Sequence, residues 1–362
     1  MKQAVVYGAG NIGRGFLGQL FSQSGWETVF IDINKEIVRL LNRDHTYPIK
    51  IVDNENQTDI KVENVRAVDG TDTSAVANVI ANCDLMCTCV GVNVLGKIIP
   101  NLCEGIRRRM ANGGRELNII LCENLLKADS YMRKLVKEQM GSDFPEDKLG
   151  FVEASVGRMV PVMNEEMKAG KPLKVWVEPF CQLPVDRDAF RGEIPEMKGI
   201  LPESNFSYYI ESKLFLHNMG HAITAYLGKI KGYTYIYEAI DDPKIRAAVQ
   251  NAMYASAEAL SLEHNRPLEE VKAYADDLIR RFGNRYLGDT IARVGRDLKR
   301  KLAPNDRLIG AERLCSKYEI DSTYIMLGIA AALLFGEDFT INDLEIDREK
   351  IKLIYSGLLF AS

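Results

Sequence analysis

The sequence predicts an α/β protein: an N-terminal doubly wound, mainly parallel sheet of the Rossmann type with an inserted hairpin, followed by an all-α C-terminal domain. Three observations carry this reading. Short apolar runs alternate with helix-period patterns through the first half of the chain. A glycine-rich turn, Gly8-Ala9-Gly10-Asn11-Ile12-Gly13, follows the first of those runs. From about Glu193 strand-like runs cease and helical patterns follow one another, which sets the expected domains at 1–190 and 191–362.

In order, Gln3–Tyr7 reads as a strand, and 12–24 as a helix with Ile12, Phe16, Leu17, Leu20 and Phe21 on one face. Residues 28–32 form a second strand and 35–42 a short helix. The stretch 49–68 interrupts the alternation: two polar-alternating segments flank Asp53-Asn54-Glu55-Asn56, the pattern of an inserted β-hairpin. A helix from Thr73, a strand at 84–90, a helix from Leu95 and a strand at 117–122 resume the β-then-α order. Strands at 150–155 and 174–177 are expected to close the first domain. The second domain reads as helices at 206–227, Pro243–His264, Leu268–Phe282, 306–316, 323–335 and 344–359.

Composition excludes several classes of function. With 46% hydrophobic and 27% charged residues, a net charge of −4 and a pI near 5.8, the chain carries no electrostatic footprint for nucleic acid. Its longest apolar stretch, around 325–335, falls short of the ~20 residues a bilayer span needs. The opening residues run straight into a strand and a glycine turn, so no signal peptide is expected. Seven cysteines, four histidines and no Cys-x-x-Cys pair argue against a zinc site, and Cys83, Cys87 and Cys89 read as small core residues. The expectation is a metal-free cytoplasmic protein with a small-molecule substrate, with a monomer as the default state.

The glycine turn matches G-x-G-x-x-G in the setting that gives the motif meaning: a strand before it, an amphipathic helix after it, and Asp32 at the end of the next strand. Gly8 permits the tight turn, Gly10 lets backbone approach a pyrophosphate, and Gly13 allows close helix–strand packing. Ala9, Asn11 and Ile12 line the same loop, and the helix N-terminus offers unpaired N–H groups to phosphate. Asp32 accepts ribose hydroxyls and repels a 2′-phosphate, which favours NAD over NADP; Lys35 nearby softens that preference. Two more strand ends should border the crevice, Val90-Gly91 and Cys122-Glu123-Asn124, with Asn124 either reaching the reacting centre or capping a loop.

The segment 212–222 puts unusual chemistry on a helix that must also pack. At about 100° per residue from Lys213, Asn218 lies near 140°, His221 near 80° and His217 near 40°. A stripe carrying an amine, an amide and two imidazoles is costly in an apolar setting unless it lines a site. A dehydrogenase needs a base for the alcohol proton while hydride leaves. Lysine serves if burial and a nearby positive charge bring its pKa down from ~10.4. A partly solvated helix face carries the same spacing.

Lys213-x4-Asn218-x2-His221 resembles the signature of the polyol-specific long-chain dehydrogenases. The likeness extends from Gly8–Phe16 through Cys122-Glu123-Asn124 and 213–227 to Arg293-Val294-Gly295-Arg296, covering most of the chain. Within that family it points to the members acting on a phosphorylated polyol. The resemblance implies NAD-dependent, metal-free, reversible oxidation of D-mannitol 1-phosphate at C5 to D-fructose 6-phosphate. Lys213 would be the general base, Asn124 and Asn218 the pair holding the reacting oxygen, and His221 a substrate-positioning residue; His217 sits at a variable position. Two departures stand out. The family has an acid before the arginine of its Asp-Arg-Ile-Val-Pro segment, where this chain reads Gly157-Arg158-Met159-Val160-Pro161, and the chain after Leu344 is shorter than usual.

A phosphorylated substrate needs cations. Arg293, Arg296, Arg300 and Lys301 form the densest basic cluster. If 293–301 is helical, the three arginines share a face suited to phosphate, with Arg296 and Arg300 expected to select it. A solvated basic face has the same pattern. The competing readings are a relative acting on an unphosphorylated polyol or a sugar acid, whose chains are generally longer, and a catalytically idle NAD-binding sensor, which has no use for Lys213, Asn218 and His221 together.

Overall fold

The computed structural model describes residues 1–335 together with Ile354 and Gly357, so the helix expected at 344–359 lies, apart from those two helical positions, outside the described residues. The chain forms two compact units, Met1–Phe206 and Ser207–Ser362. The division falls beyond the change of class at residue 190 because a short parallel strand pair, Leu183–Asp186 with Ile200–Glu203, still belongs to the first unit.

The first unit is built on a six-stranded parallel sheet. Its strands are β1 (Gln3–Tyr7), β2 (Glu27–Asp32), β5 (Val65–Asp69), β6 (Leu85–Thr88), β7 (Leu117–Leu121) and β8 (Leu149–Glu153), in spatial order β5-β2-β1-β6-β7-β8. Counted along the chain within this sheet, that is the 3-2-1-4-5-6 order of a dinucleotide-binding fold. Helices cover both faces, so β6 and β7 are buried along their whole length and read as unbroken apolar runs. One face packs Phe16, Leu17, Phe21 and Phe30. The other packs Val76, Ile80, Leu102 and Phe151.

The structure corrects three element assignments. The inserted hairpin is β3 (Thr46–Val52) against β4 (Gln57–Glu63); the last part of the 49–68 stretch is β5, paired in parallel with β2 in the main sheet. The strand expected at 174–177 is β9 (Val175–Val177), which pairs with β3 in a separate three-stranded sheet and does not extend the main one. The basic segment 293–301 is not one helix: Ile291–Gly295 and Leu298–Lys301 are separated by Arg296 in extended backbone and Asp297 at φ +68°. The shared arginine face expected of a continuous helix is therefore absent.

The second unit is helical throughout its named elements. Its centre is Met219–Ile230, which continues directly from Ser207–Ser212 and Lys213–Asn218. This helix is apolar on nearly every side, as a fully enclosed helix must be. Small residues let its neighbours close in: Gly220 lies against Met253, Gly228 against Ala239 and Ile291, and Gly328 of Thr323–Leu333 against Ile223.

Candidate active site

The glycine turn is held by its own neighbours before any ligand arrives. Gly8 sits at φ +108°, a conformation only glycine takes without strain, and its N–H donates to Ile31 at 2.8 Å. Asp32, at the end of β2, accepts the Ala9 N–H at 2.7 Å and the Asn34 N–H at 2.8 Å. Buried Arg14 donates through Nε to the Ala9 carbonyl at 2.6 Å and through Nη1 to the Leu173 carbonyl at 2.5 Å. Asn11 reaches the Pro161 carbonyl at 3.4 Å. Ile12 packs partly buried against the core. Where a Cβ at Gly10 would stand there is nothing within 4 Å, whereas one at Gly13 would run into the Gly8 carbonyl oxygen. Open space at Gly10, an acid at the β2 end and a helix start together fit a dinucleotide.

The other strand ends border the same crevice. Gly91 has φ +89° and precedes the helix Val92–Ala111. Glu123 is buried and accepts from Thr88 Oγ1 at 2.7 Å and from the Val90 N–H at 3.0 Å. Burial pushes its carboxyl above the usual carboxylate range, and these donors only partly reverse the shift. It thereby ties the end of β6 to the segment after β7. Asn124, the neighbour singled out from sequence, is exposed.

In the second unit, Lys213–Asn218 is wound as a π-helix, with the Met219 N–H bonded back to the Leu214 carbonyl five residues earlier. An i-to-i+5 turn rotates the chain by less than 100° per residue, so the α-helical reckoning overstates the angle between Lys213 and Asn218. The wider turn brings the two toward one face. Both are half-buried, and the Ser256 hydroxyl pins the stretch by donating to the Phe215 carbonyl at 2.9 Å.

His221 is held from two sides. Its ring stacks on Phe282 with centroids 5.0 Å apart, and Nε2 lies 3.3 Å from Asp289. Asp289 also pairs with Arg293. Burial pushes the Asp289 carboxyl up, but His221 and Arg293 more than reverse this and hold it below the usual range. Sequence reasoning missed Asp289, because an acid four residues before an arginine reads as an ordinary surface pair. His217, one turn before His221, is buried with Nδ1 unpartnered among the described residues, and burial holds it well below its ordinary value.

The expected phosphate arginines are dispersed. Arg293 is committed to Asp289, Arg296 is exposed in the break between helices, and Arg300 pairs with Asp297 at 2.6 Å.

Family models match nearly the whole chain: the mannitol dehydrogenase Rossmann domain over residues 2–199 and the mannitol dehydrogenase C-terminal domain over 205–352. The chain belongs to the mannitol dehydrogenase family. It is 40% identical to a mannitol-1-phosphate 5-dehydrogenase of Thermoanaerobacter pseudethanolicus over 92% of this chain and 86% of that one. A mannitol-1-phosphate 5-dehydrogenase of Caldanaerobacter subterraneus subsp. tengcongensis is 38% identical over the same shares. Among solved structures, a D-sorbitol dehydrogenase superposes with a TM-score of 0.79 at 18% identity, covering 91% of this chain and 79% of that one. The Pseudomonas fluorescens mannitol 2-dehydrogenase, solved with NAD and D-mannitol, gives 0.73 at 15%, covering 99% and 86%.

Membership in the mannitol dehydrogenase family makes this chain an oxidoreductase and gives the 157–161 departure a structural setting. Arg158 is buried and donates to the Gly15 carbonyl at 3.0 Å, the Gln19 amide oxygen at 2.7 Å and the Glu178 carbonyl. The arginine thus braces the fingerprint helix. A buried acid does meet this segment from elsewhere: Glu178 accepts the Met159 N–H through its carboxylate.

Proposed function

We propose that this chain catalyses the NAD-dependent, reversible oxidation of D-mannitol 1-phosphate at C5 to D-fructose 6-phosphate. The reading is supported by the π-winding over Lys213–Asn218, which narrows the angle between those two residues, and by Asp289 beside His221 one helical turn further on. The phosphorylated substrate is suggested by the names of the two bacterial relatives.

NAD, when bound, would supply the hydride acceptor for the substrate carbon. The glycine turn and helix start would hold its pyrophosphate, and Asp32 would take the ribose hydroxyl and disfavour a 2′-phosphate at that point. Lys213, neutral when it acts, removes the hydroxyl proton during oxidation and returns it to the carbonyl oxygen during reduction. Asn218 donates its amide N–H to that oxygen as its charge grows, and Asn124 is the second donor that the family resemblance implies. His221 hydrogen-bonds a substrate hydroxyl. Asp289 on Nε2 and Phe282 against the ring face keep the imidazole in one orientation, leaving Nδ1 for the substrate.

The test is NADH consumption with fructose 6-phosphate, beside fructose and fructuronate. Rapid loss of NADH with fructose 6-phosphate alone is expected, falling at least ~1000-fold in Lys213→Ala, on the scale of removing a general base. Equal turnover of fructose or fructuronate overturns the substrate, and full activity in Lys213→Ala overturns the base.

A further inference from the structure

In the second unit two interior hydrogen-bonding groups stand without a partner among the described residues. Arg307, just before the helix Ile309–Lys317, is 7% exposed. Its Nε donates to Asp306 Oδ1 at 2.7 Å, but its Nη2 is buried without a partner among the described residues. Tyr226, on the central helix Met219–Ile230, is 0% exposed, and its hydroxyl is likewise unpartnered among the described residues. A guanidinium edge and a phenol left unbonded away from water are each costly.

We propose that Arg307 and Tyr226, flanked by Lys301 and Arg300, form an anion site that takes the phosphate monoester of the substrate. Its physiological ligand rests on the phosphorylated-polyol reading above.

The charges around the two atoms agree. Lys301 is buried and, among the described residues, gives one hydrogen bond, to the Val294 carbonyl. Burial, reinforced by Arg307 and Arg300, brings its pKa down to about 7. Tyr226 feels the same two arginines, and its ring meets Phe335, which also lies against Gly295, next to the Val294 carbonyl that Lys301 bonds. Arg300 is half-exposed and stands at the rim, held by Asp297 at 2.6 Å and lying 3.9 Å from Asp306. Among the described residues Arg300, Arg307 and Lys301 thus stand with Asp297 and Asp306, and once Lys301 is protonated the set is one negative charge short. A phosphate brings up to two charges and three acceptor oxygens, enough for the guanidinium edge, the phenol and the amine together. It would also draw a proton onto Lys301. The site lies beside the helix that carries Lys213, since Gly310, three residues after Arg307, packs against the Phe215 ring. One polyol chain can then present its phosphate to Arg307 and its reacting carbon to Lys213.

The kinetic test compares wild type, Arg307→Gln and, as a control on an exposed neighbour, Lys299→Gln. Arg307→Gln should raise KM for fructose 6-phosphate roughly 10- to 100-fold, the loss of a charge-assisted pair, with KM for NADH unchanged. Lys299→Gln should behave as wild type. If Arg307→Gln is too unstable to purify, Arg307→Lys keeps the charge but loses the fork, and a KM several-fold above wild type is expected. An unaltered KM in the Arg307 variants, while fructose 6-phosphate remains preferred over fructose, overturns the site and leaves the substrate reading intact. A second arm adds inorganic phosphate alone to the NAD-loaded proteins. It should raise the unfolding temperature of wild type but not of the Arg307 variant, and equal protection of both overturns the site. Should fructose serve as well as fructose 6-phosphate while phosphate still protects only wild type, the anion site stands and the phosphorylated substrate falls.

Discussion

Gly10 and Gly13 lie in one turn and do different work. A methyl at Gly10 meets nothing within 4 Å, so alanine there should leave the fold within about 0.5 kcal/mol of wild type. The space it fills is where backbone and pyrophosphate must meet, so NADH affinity should fall by about tenfold or more. At Gly13 the methyl would run into the Gly8 carbonyl, and the turn itself must shift. Gly13→Ala should lose about 1–3 kcal/mol of stability together with NADH binding. Fluorescence titration with NADH beside thermal unfolding separates the two, and equal stability losses would refute the division. The motif spacing made the close packing at Gly13 legible. It could not show that Asp32 also anchors the Ala9 N–H or that Arg14 clamps the Ala9 carbonyl, because both bonds depend on how the turn closes in space. Arg307 escaped for a related reason. Next to Asp306 it reads as a solvated pair, and only burial reveals the edge that Asp306 leaves unbonded.

At the scale of elements, the parallel strands were legible because burial on both faces demands unbroken apolar runs such as those of β6 and β7. Val65–Asp69 was not, since its alternating polar residues match a hairpin arm as well as an edge strand of the main sheet. The π-winding at Lys213–Asn218 was also hidden. One extra residue in a turn leaves the apolar pattern of an enclosed helix almost unchanged. What holds it is tertiary: the Ser256 hydroxyl on the Phe215 carbonyl from the neighbouring helix Pro243–His264. Ser256→Ala should therefore cost about 1 kcal/mol, the worth of one buried hydrogen bond. If the winding aligns Lys213 with Asn218, kcat should drop more than that loss of stability explains, with KM for NADH untouched. A variant with lower stability but wild-type kcat would show that the serine only packs.

At the scale of the whole molecule, the acid limb of stability carries the mark of one buried imidazole. His217 is enclosed against Phe282 with rings 5.7 Å apart, has Nδ1 unpartnered among the described residues, and is kept neutral first by burial and then by Arg281, His221, Lys213 and Arg307. Above its ordinary pKa of about 6.5 the group is neutral in both folded and unfolded chains and has no influence on the pH dependence. Below that value the unfolded chain takes up a proton that the folded chain refuses, so stability falls as the pH drops. The slope approaches about 1.4 kcal/mol per pH unit, the limit for a difference of one proton. Leucine at 217 removes the titration and leaves no polar atom stranded. Chemical unfolding of wild type and His217→Leu at pH 7.5, 6 and 5 should give a shallower acid decline in the variant, by roughly 1 kcal/mol between pH 6 and 5. The remaining histidines and the carboxylates, common to both proteins, cancel in the difference. Parallel declines would mean that His217 is protonated in the folded protein, and the cationic surroundings assigned to it, including Arg307, would have to be redrawn.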